Sequence, residues 1–154
     1  MATWRAQRGP RWFDVYPAAE KLAVSDASSV LLVDVGGGTG HDLVAFKTKH
    51  REITGKLIVQ DIPAVVKDVK DLPEGVEAMA HDFFAGQPVK GAAAYHLGNV
   101  LHDWPDKQAL QILGKIKDAM TETSRLLIWE NVLPETGVPF LSACMDLQMM
   151  ANCK

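Results

Sequence analysis

An apolar run that ends directly in a cluster of glycines is the feature that most constrains the fold of this chain. Residues 30–35 read Val-Leu-Leu-Val-Asp-Val, and residues 36–40 read Gly-Gly-Gly-Thr-Gly. A short apolar run of this kind is typical of a buried parallel strand that turns tightly into a helix. Glycines also let a ligand approach the backbone without meeting Cβ atoms. The segment predicts an α/β fold with a ligand loop after its first strand, although a tight turn without a ligand also fits it.

The rest of the chain alternates between strand and helix patterns. We predict strands at residues 56–61, 75–82, 92–101 and 125–133, and helices at 40–50, from 63, at 105–120 and at 140–150. Such alternation requires right-handed crossovers and therefore a parallel sheet of about five strands. We expect an N-terminal helical segment at 1–28 and one α/β core at 29–154, with ligands bound beyond the carboxyl ends of the strands.

Length and composition are those of an ordinary globular domain. The chain has 154 residues, 47% of them hydrophobic and 23% charged, and its formal net charge is −3. A mildly acidic chain offers no basic face to phosphates, so we expect no nucleic-acid partner. We see no signal peptide and no apolar run near the roughly 20 residues of a membrane span, so we expect no membrane partner. The two cysteines, Cys144 and Cys153, cannot staple the fold, which suits a reducing compartment, so we expect a cytoplasmic location.

The N-terminal stretch mixes basic and aromatic residues, which are Arg5, Arg8, Arg11, Trp12, Phe13 and Tyr16. An arm that binds single-stranded nucleic acid has a similar composition. The acidic balance of the rest of the chain favours the alternative, an amphipathic helix that packs on the core or on a partner.

The spacing of the glycines excludes two other kinds of ligand loop. A P-loop ends in Gly-Lys-Ser/Thr, whereas this loop ends in Thr39-Gly40-His41. A dinucleotide loop has the spacing G-x-G-x-x-G, whereas the sixth position counted from Gly36 is His41. The spacing here is G-x-G-x-G, and Asp34 precedes it.

Acidic residues close the second and third predicted strands. Asp61 can accept hydrogen bonds from both hydroxyls of a ribose, although an N-cap ahead of Pro63 also explains it. Asp82 can bond an adenine amino group while Phe83 covers a ring face. Alternatively, Asp82 is a turn residue and Phe83 or Phe84 belongs to the core. Two acids above one glycine loop favour an adenosine site.

These motifs resemble those of class I S-adenosylmethionine methyltransferases. Besides the glycine loop, residues 60–63 (Gln-Asp-Ile-Pro) and 81–84 (His-Asp-Phe-Phe) carry the likeness. Residues 101–106 (Leu-His-Asp-Trp-Pro-Asp) narrow it to small-molecule O-methyltransferases of the plant caffeate and flavonoid type and their fungal secondary-metabolite relatives. The similarity runs from about Trp12 to Met150.

The resemblance implies a Rossmann-like core that binds S-adenosyl-L-methionine and methylates a phenolic or similar hydroxyl of an aromatic or polyketide-type small molecule. It places the cofactor on Gly36, Gly37, Gly38, Asp61, Asp82, Phe83 and Trp104. A buried tryptophan at the last of these positions needs no ligand to explain it.

A histidine follows the fourth predicted strand, at the rim of the expected pocket. Histidine is the side chain best suited to accept a proton near neutral pH. The resemblance implies that His102 removes the proton of the acceptor hydroxyl and that Glu130 orients its imidazole. We assign Asp103, Met145 and Met149 to the acceptor pocket. Each assignment has an alternative. His102 could be a structural histidine, Asp103 a helix cap, and the two methionines part of an apolar core.

The other histidines, which are His41, His50, His81 and His96, show no metal-ligand spacing with cysteines or carboxylates, so we expect no metal.

Three departures from the resembling family are visible. Gly98 stands where relatives place a lysine or arginine that points at the cofactor. We expect the chain to lack the N-terminal dimerisation domain and a second glutamate that supports the histidine. It is also expected to lack the last two strands, which makes residues 125–133 an apolar edge. Such an edge favours a homo-oligomer or a covering partner chain.

Two other functions fit the same residues. In the first, the chain is a non-catalytic fragment or auxiliary subunit that keeps the fold. In the second, its pocket supports a reaction without methyl transfer, such as a dehydration or a pericyclic isomerisation. Release of S-adenosylhomocysteine in the presence of phenols discriminates these functions from methyl transfer.

Overall fold

Parallel strands form a five-stranded sheet in the computed structural model, which describes residues 10–24, 26–140, 142–144 and 147. In chain order the strands are β1 Val30–Val35, β2 Lys56–Asp61, β3 Val76–Ala80, β4 Ala94–Gly98 and β5 Arg125–Trp129. Their spatial order is β3-β2-β1-β4-β5, and each neighbouring pair is parallel. The order reverses beside β1, where sheets of this type bind their ligands. The predicted α/β fold is confirmed.

Helices connect the strands. They are α1 Trp12–Val15, α2 Ala18–Lys21, α3 His41–Lys49, α4 Pro63–Val66 and α5 Asp106–Lys117, with a 3-10 turn at Leu101–Asp103. Phe140 and residues 142–144 and 147 are also helical. The helices predicted at 40–50 and 105–120 are present and slightly shorter. Pro63 opens α4, where the missing N–H breaks no helical hydrogen bond.

Three predicted strands are shorter than expected at their carboxyl ends. β3 ends at Ala80 instead of Asp82, β4 at Gly98 instead of Leu101, and β5 at Trp129 instead of Leu133. Asn99 has a φ of 56° and so turns the chain out of the extended conformation. β5 then ends at Trp129 because its pairing partner, Gly98, is the last residue of β4.

Side chains on both faces of the sheet form the core. Successive residues of a strand point to opposite faces, and accordingly Ala94 lies in one buried cluster and Tyr95 in the other. The first face is covered by α1 and α3, through Trp12, Phe13, Leu43 and Phe46. The second is covered by α5, through Ile112 and Ile116.

The aromatic N-terminal stretch is part of this core. Trp12 and Phe13 are only 3% and 6% exposed, and their rings meet edge to face at 5.3 Å. Arg5 and Arg8 lie outside the described residues. The burial of the two aromatic rings favours the interpretation that this stretch packs on the core over that of a nucleic-acid arm.

β5 is the outermost strand on its side of the sheet within the described part of the chain. Ile128 in this strand is 49% exposed, and Val132 and Phe140 beyond it are each 85% exposed. The outward backbone groups of an edge strand are available to another strand. Among the described residues, no helix has the length and apolar character needed to cross a membrane.

The orientation of α5 predicts a contrast between two of its residues. Ile112 is fully buried, whereas Leu110 is 68% exposed. Ile112→Ala should leave a cavity and lower the free energy of unfolding by about 2–5 kcal/mol. Leu110→Ala should change it by less than about 0.5 kcal/mol. Urea denaturation of both variants measures these values, and equal losses would contradict the placement of α5.

Candidate active site

The predicted site residues meet at one edge of the sheet. The glycine loop follows β1, Asp61 ends β2, Asp82 follows β3, His102 follows β4 and Glu130 follows β5. Because all five strands are parallel, their carboxyl ends lie at the same edge. Residues that are far apart in the sequence are therefore neighbours at this edge.

The glycine loop is closely packed on its inner side. A Cβ at Gly36 would lie 2.9 Å from Val100 Cγ2, and one at Gly37 would lie 2.4 Å from Asp34 Oδ2. Real Cβ atoms do not approach other atoms this closely, so neither position accepts a side chain. Gly38 has a φ of 62° and faces open space. The loop therefore exposes backbone without side chains to a ligand on its open side.

Asp61 is bonded to the glycine loop. Its Oδ2 accepts a hydrogen bond from the backbone N–H of Gly38 at 2.8 Å, and its Oδ1 accepts one from that of Ile62 at 2.8 Å. The N-cap residue of α4 is Ile62, so the alternative explanation of Asp61 as the N-cap is wrong. Asp61 instead ties the end of β2 to the loop.

Asp82 and a cluster of aromatic residues lie beside the glycine loop. Asp82 Oδ1 accepts a hydrogen bond from Phe84 N at 2.9 Å, which makes Asp82 a turn residue, and its second oxygen has no hydrogen-bond partner among the described residues. The rings of Phe83 and Trp104 meet edge to face at 5.7 Å, and Phe84 meets Trp104 at 4.8 Å. Phe83 also lies 3.6 Å from the Cβ position of Gly36. An aromatic cluster therefore stands beside the loop.

A cavity of about 180 Å³ opens beneath the loop. It is lined by Asp34, Gly36, Gly37, Gly38, Thr39, His41, Asp42, His96, Gly98 and Asn99. The three predicted glycines line it directly. The other predicted residues within the described part of the chain, from Asp61 to Glu130, do not line this cavity.

The other seven lining residues were not among the predicted site residues, and two of them, Asp34 and His96, are in direct contact. They occupy paired positions on β1 and β4, and His96 Nδ1 lies 2.7 Å from Asp34 Oδ1. Their side chains are 5% and 2% exposed. The available signal was a polar residue in each of two buried strands, which is uncommon in a parallel sheet.

His102 and Glu130 form a hydrogen-bonded pair. His102 Nδ1 lies 2.6 Å from Glu130 Oε2. The other oxygen of Glu130 accepts hydrogen bonds from the backbone N–H groups of Val100 and Leu101, at 2.9 and 2.8 Å. The His102 side chain is 41% exposed, whereas that of Glu130 is 14% exposed. A largely buried carboxylate, fixed by two backbone amides, therefore holds an accessible imidazole.

The remaining predicted residues have different surroundings. Asp103 Oδ1 lies 3.4 Å from His102 Nε2, so this aspartate is next to the free side of the imidazole. Pro105 is the N-cap residue of α5 and Asp106 is its first residue, so neither Asp103 nor Asp106 is the cap. Asp106 still faces the positive end of the helix dipole. Met145 and Met149 lie outside the described residues.

His81, beside Asp82, carries a buried ring nitrogen. Its Nε2 has no hydrogen-bond partner among the described residues. Burial lowers the pKa of His81 below its ordinary value of 6.5, and the charge of Asp82 opposes part of that shift. His81 therefore binds a proton less readily in the folded protein than in the unfolded chain.

This shift predicts a pH dependence of stability. The contribution of His81 is complete above pH 6.5 and is lost as the pH falls from there through the lower folded-state pKa. His81→Gln should therefore flatten the slope of unfolding free energy against pH below 6.5. Asp82→Asn should steepen it, because the opposing charge is removed. Urea titrations over this pH range check both signs, and slopes unchanged in the two variants would refute the assignment.

Sequence comparison places the chain among known enzymes. The O-methyltransferase domain family matches residues 18–154. The demethylsterigmatocystin 6-O-methyltransferase stcP of Emericella nidulans is 47% identical over 147 residues, which cover 95% of this chain and 72% of that relative. Longer fungal methyltransferases are matched over 37% of their own length. The predicted resemblance to fungal secondary-metabolite O-methyltransferases is confirmed.

Solved structures share the fold. The structure of LepI in complex with S-adenosylmethionine is 37% identical with a TM-score of 0.86, and the match covers 94% of this chain and 38% of that one. A structure described as a pericyclic reaction enzyme is 36% identical with a TM-score of 0.85 and the same two coverages. The chain spans less than half the length of these proteins.

The family match, the fungal relative and the shared fold agree with the arrangement of glycine loop and strand-end residues. S-adenosyl-L-methionine is the cofactor of the family, as expected. The chain belongs to the O-methyltransferase domain family.

Proposed function

We propose that this chain is the cofactor-binding core of an S-adenosyl-L-methionine-dependent O-methyltransferase that acts on a hydroxyl of an aromatic or polyketide-type small molecule. The single observation that carries the proposal is the contact of 2.6 Å between His102 Nδ1 and Glu130 Oε2, at the sheet edge that also carries the glycine loop. This pair is the general base of the reaction, and the loop is the cofactor site.

The contact with Glu130 supports one position for the proton of a neutral His102. A carboxylate only accepts hydrogen bonds, so Nδ1 of a neutral His102 carries the proton and donates it to Glu130. Nε2 is then the unprotonated nitrogen, on the accessible side of the ring, and can remove the proton of an acceptor hydroxyl. Glu130 stabilises the imidazolium that results.

The residues around the loop fit an adenosyl ligand. The crowding at Gly36 and Gly37, where a Cβ would meet other atoms at 2.9 and 2.4 Å, leaves a cradle of bare backbone. Asp61 lies at the end of β2 to bind the ribose hydroxyls. When bound, S-adenosyl-L-methionine supplies an electrophilic methyl group on a positively charged sulfur.

The aromatic cluster completes the cofactor site. The second oxygen of Asp82 binds the adenine amino group, and the rings of Phe83 and Trp104 cover the adenine. These rings also exclude water from the reacting groups. Most of the acceleration then comes from holding the acceptor oxygen in line with the methyl group.

The acceptor is expected next to His102 Nε2, the imidazole nitrogen that does not contact Glu130. Asp103 lies against His102 Nε2, at 3.4 Å, and would contact the acceptor hydroxyl. Met145 and Met149 are proposed to line the same pocket, because methionines adapt to varied apolar shapes. The relative stcP is named for the 6-O-methylation of a small molecule, demethylsterigmatocystin.

A second function is favoured by one comparison. The pericyclic reaction enzyme, 36% identical to this chain, has the same fold. An imidazole held by a carboxylate can also move protons in a reaction that transfers no methyl group. Catalytic formation of S-adenosylhomocysteine distinguishes the two functions, and its absence with every acceptor would favour the second function or a non-catalytic subunit.

His102→Ala tests the general base. We expect the rate of methyl transfer to a phenol panel to fall by about 10²–10⁴, because no group remains to accept the proton. The dissociation constant for S-adenosylhomocysteine should change by less than about twofold, as measured by calorimetry. Asp106→Asn, an exposed change in the same segment, is the matched control and should keep full activity. A loss of binding together with activity would make His102 structural.

The exposed edge of β5 predicts self-association. Its outer backbone groups have no strand beside them in the described part of the chain, and Ile128 is 49% exposed. We expect a second copy of the chain to cover this edge and sedimentation velocity at micromolar concentration to show dimers. Ile128→Lys should shift the distribution towards monomer. A purely monomeric wild-type protein would contradict this expectation.

A further inference from the structure

A buried histidine and a buried aspartate lie side by side below the glycine loop. Asp34 on β1 and His96 on β4 are 3% and 1% exposed, and their contact of 2.7 Å joins His96 Nδ1 to Asp34 Oδ1. Removing such groups from water costs free energy that the pair recovers only when its polar atoms are satisfied. The surroundings of the other two polar atoms, Asp34 Oδ2 and His96 Nε2, therefore indicate whether a ligand completes the pair.

Those remaining atoms belong to two residues that line the cavity. Asp34 Oδ2 lies beside Gly37, where a Cβ would approach it to 2.4 Å. His96 Nε2 has no hydrogen-bond partner among the described residues. Both side chains line the cavity of about 180 Å³. A buried polar atom without a partner marks a place that a ligand or a bound water completes.

Gly98 is required by the imidazole of His96. A Cβ at Gly98 would lie 2.7 Å from Cε1 and 3.4 Å from Nε2 of that ring. The φ of Gly98 is not positive, so its backbone conformation alone does not call for glycine. The Trp12 ring also packs against the imidazole, with ring centroids 4.8 Å apart. The imidazole of His96 is thus packed against both Gly98 and Trp12.

The hydrogen bond from His96 fixes the carboxylate. Since a carboxylate only accepts, Nδ1 carries the proton and donates it to Oδ1 of Asp34. Oδ2 is then held towards the cavity. A buried carboxylate oxygen in a polar cavity favours a cationic group. The other titratable side chains that line the cavity are His41 and Asp42, at the start of α3.

The size of the cavity decides which part of a ligand it can hold. Pockets that enclose a whole small ligand measure roughly 300–1,000 Å³, whereas this one measures about 180 Å³. It therefore takes one end of the ligand. The rings of Phe83 and Trp104, which suit an adenine, do not line it. The polar lining suits the amino-acid end of an S-adenosyl compound.

We propose that His96 is a positioning residue of the cofactor site. By holding Oδ1 of Asp34, it directs Oδ2 into the cavity, where Oδ2 binds the ammonium group at the amino-acid end of the ligand. The inference rests on the proposed function only in taking the ligand to be an S-adenosyl compound. It requires neither an acceptor nor methyl transfer.

Calorimetry with two ligands tests this assignment. S-adenosylhomocysteine carries the ammonium and carboxylate groups, whereas 5′-methylthioadenosine keeps the adenosine and the sulfur without them. His96→Phe keeps a ring against Trp12 but removes the donor. It should weaken binding of S-adenosylhomocysteine at least about tenfold, which is roughly the effect of losing one charge-assisted hydrogen bond. Binding of 5′-methylthioadenosine should change by less than about twofold.

The matched variant is His96→Asn, whose amide N–H lies where Nδ1 stood. It should keep S-adenosylhomocysteine affinity within about threefold of wild type, because the donor to Asp34 is retained. If His96→Phe does not fold, His96→Leu replaces it, because leucine also removes the donor, and it should produce the same selective loss.

Three outcomes would overturn the inference. They are equal weakening of both ligands, no weakening of S-adenosylhomocysteine, and failure of His96→Asn to restore its binding. If the wild-type protein bound neither ligand, the cofactor assignment of the proposed function would fail as well. If it bound both but methylated nothing, only the proposed function would fail.

Discussion

The shape of the glycine loop depends on Gln60, because this residue is fixed through both its backbone and its side chain. Its carbonyl oxygen accepts hydrogen bonds from Gly36 N and Gly37 N, at 2.8 and 3.0 Å. Its buried amide exchanges two hydrogen bonds with the amide of Gln87, at 2.9 and 2.8 Å. An unpaired buried amide would cost about 1–3 kcal/mol. The reciprocal pair removes that cost and makes the end of β2 a rigid support for the loop.

The part of the site that is proposed to be catalytic is held by a similar arrangement at another strand end. Glu130 follows β5, yet it binds the backbone of Val100 and Leu101 in the connection after β4. Its two oxygens therefore have separate tasks, since one fixes the turn and the other holds His102. Asp61 joins the end of β2 to Gly38 in the same way. Carboxylates at strand ends thus fix the glycine loop and His102 separately, each to the strand beside it.

Sequence reasoning identified the parts of the site whose signals are local. The glycine loop and the segment around His102 were recognisable because neighbouring residues carry each motif. The pair of Asp34 and His96 was not, because its members are 62 positions apart and meet only through the register of β1 with β4. The ends of β4 and β5 were predicted wrongly because apolar residues continue past Asn99, whose positive φ ends the strand. Periodicity does not reveal such a backbone conformation.

Gly98 shows how one residue has different meanings in sequence and in structure. In the sequence, Gly98 indicated the loss of a contact with the cofactor, because relatives have a lysine or arginine at this position. In the structure, any side chain at this position would displace the His96 ring, whose Cε1 lies 2.7 Å from the Cβ position. A displaced ring would release Asp34. The missing basic residue and the buried imidazole are therefore two aspects of one arrangement, and restoring the basic side chain alone would disrupt the floor of the cavity.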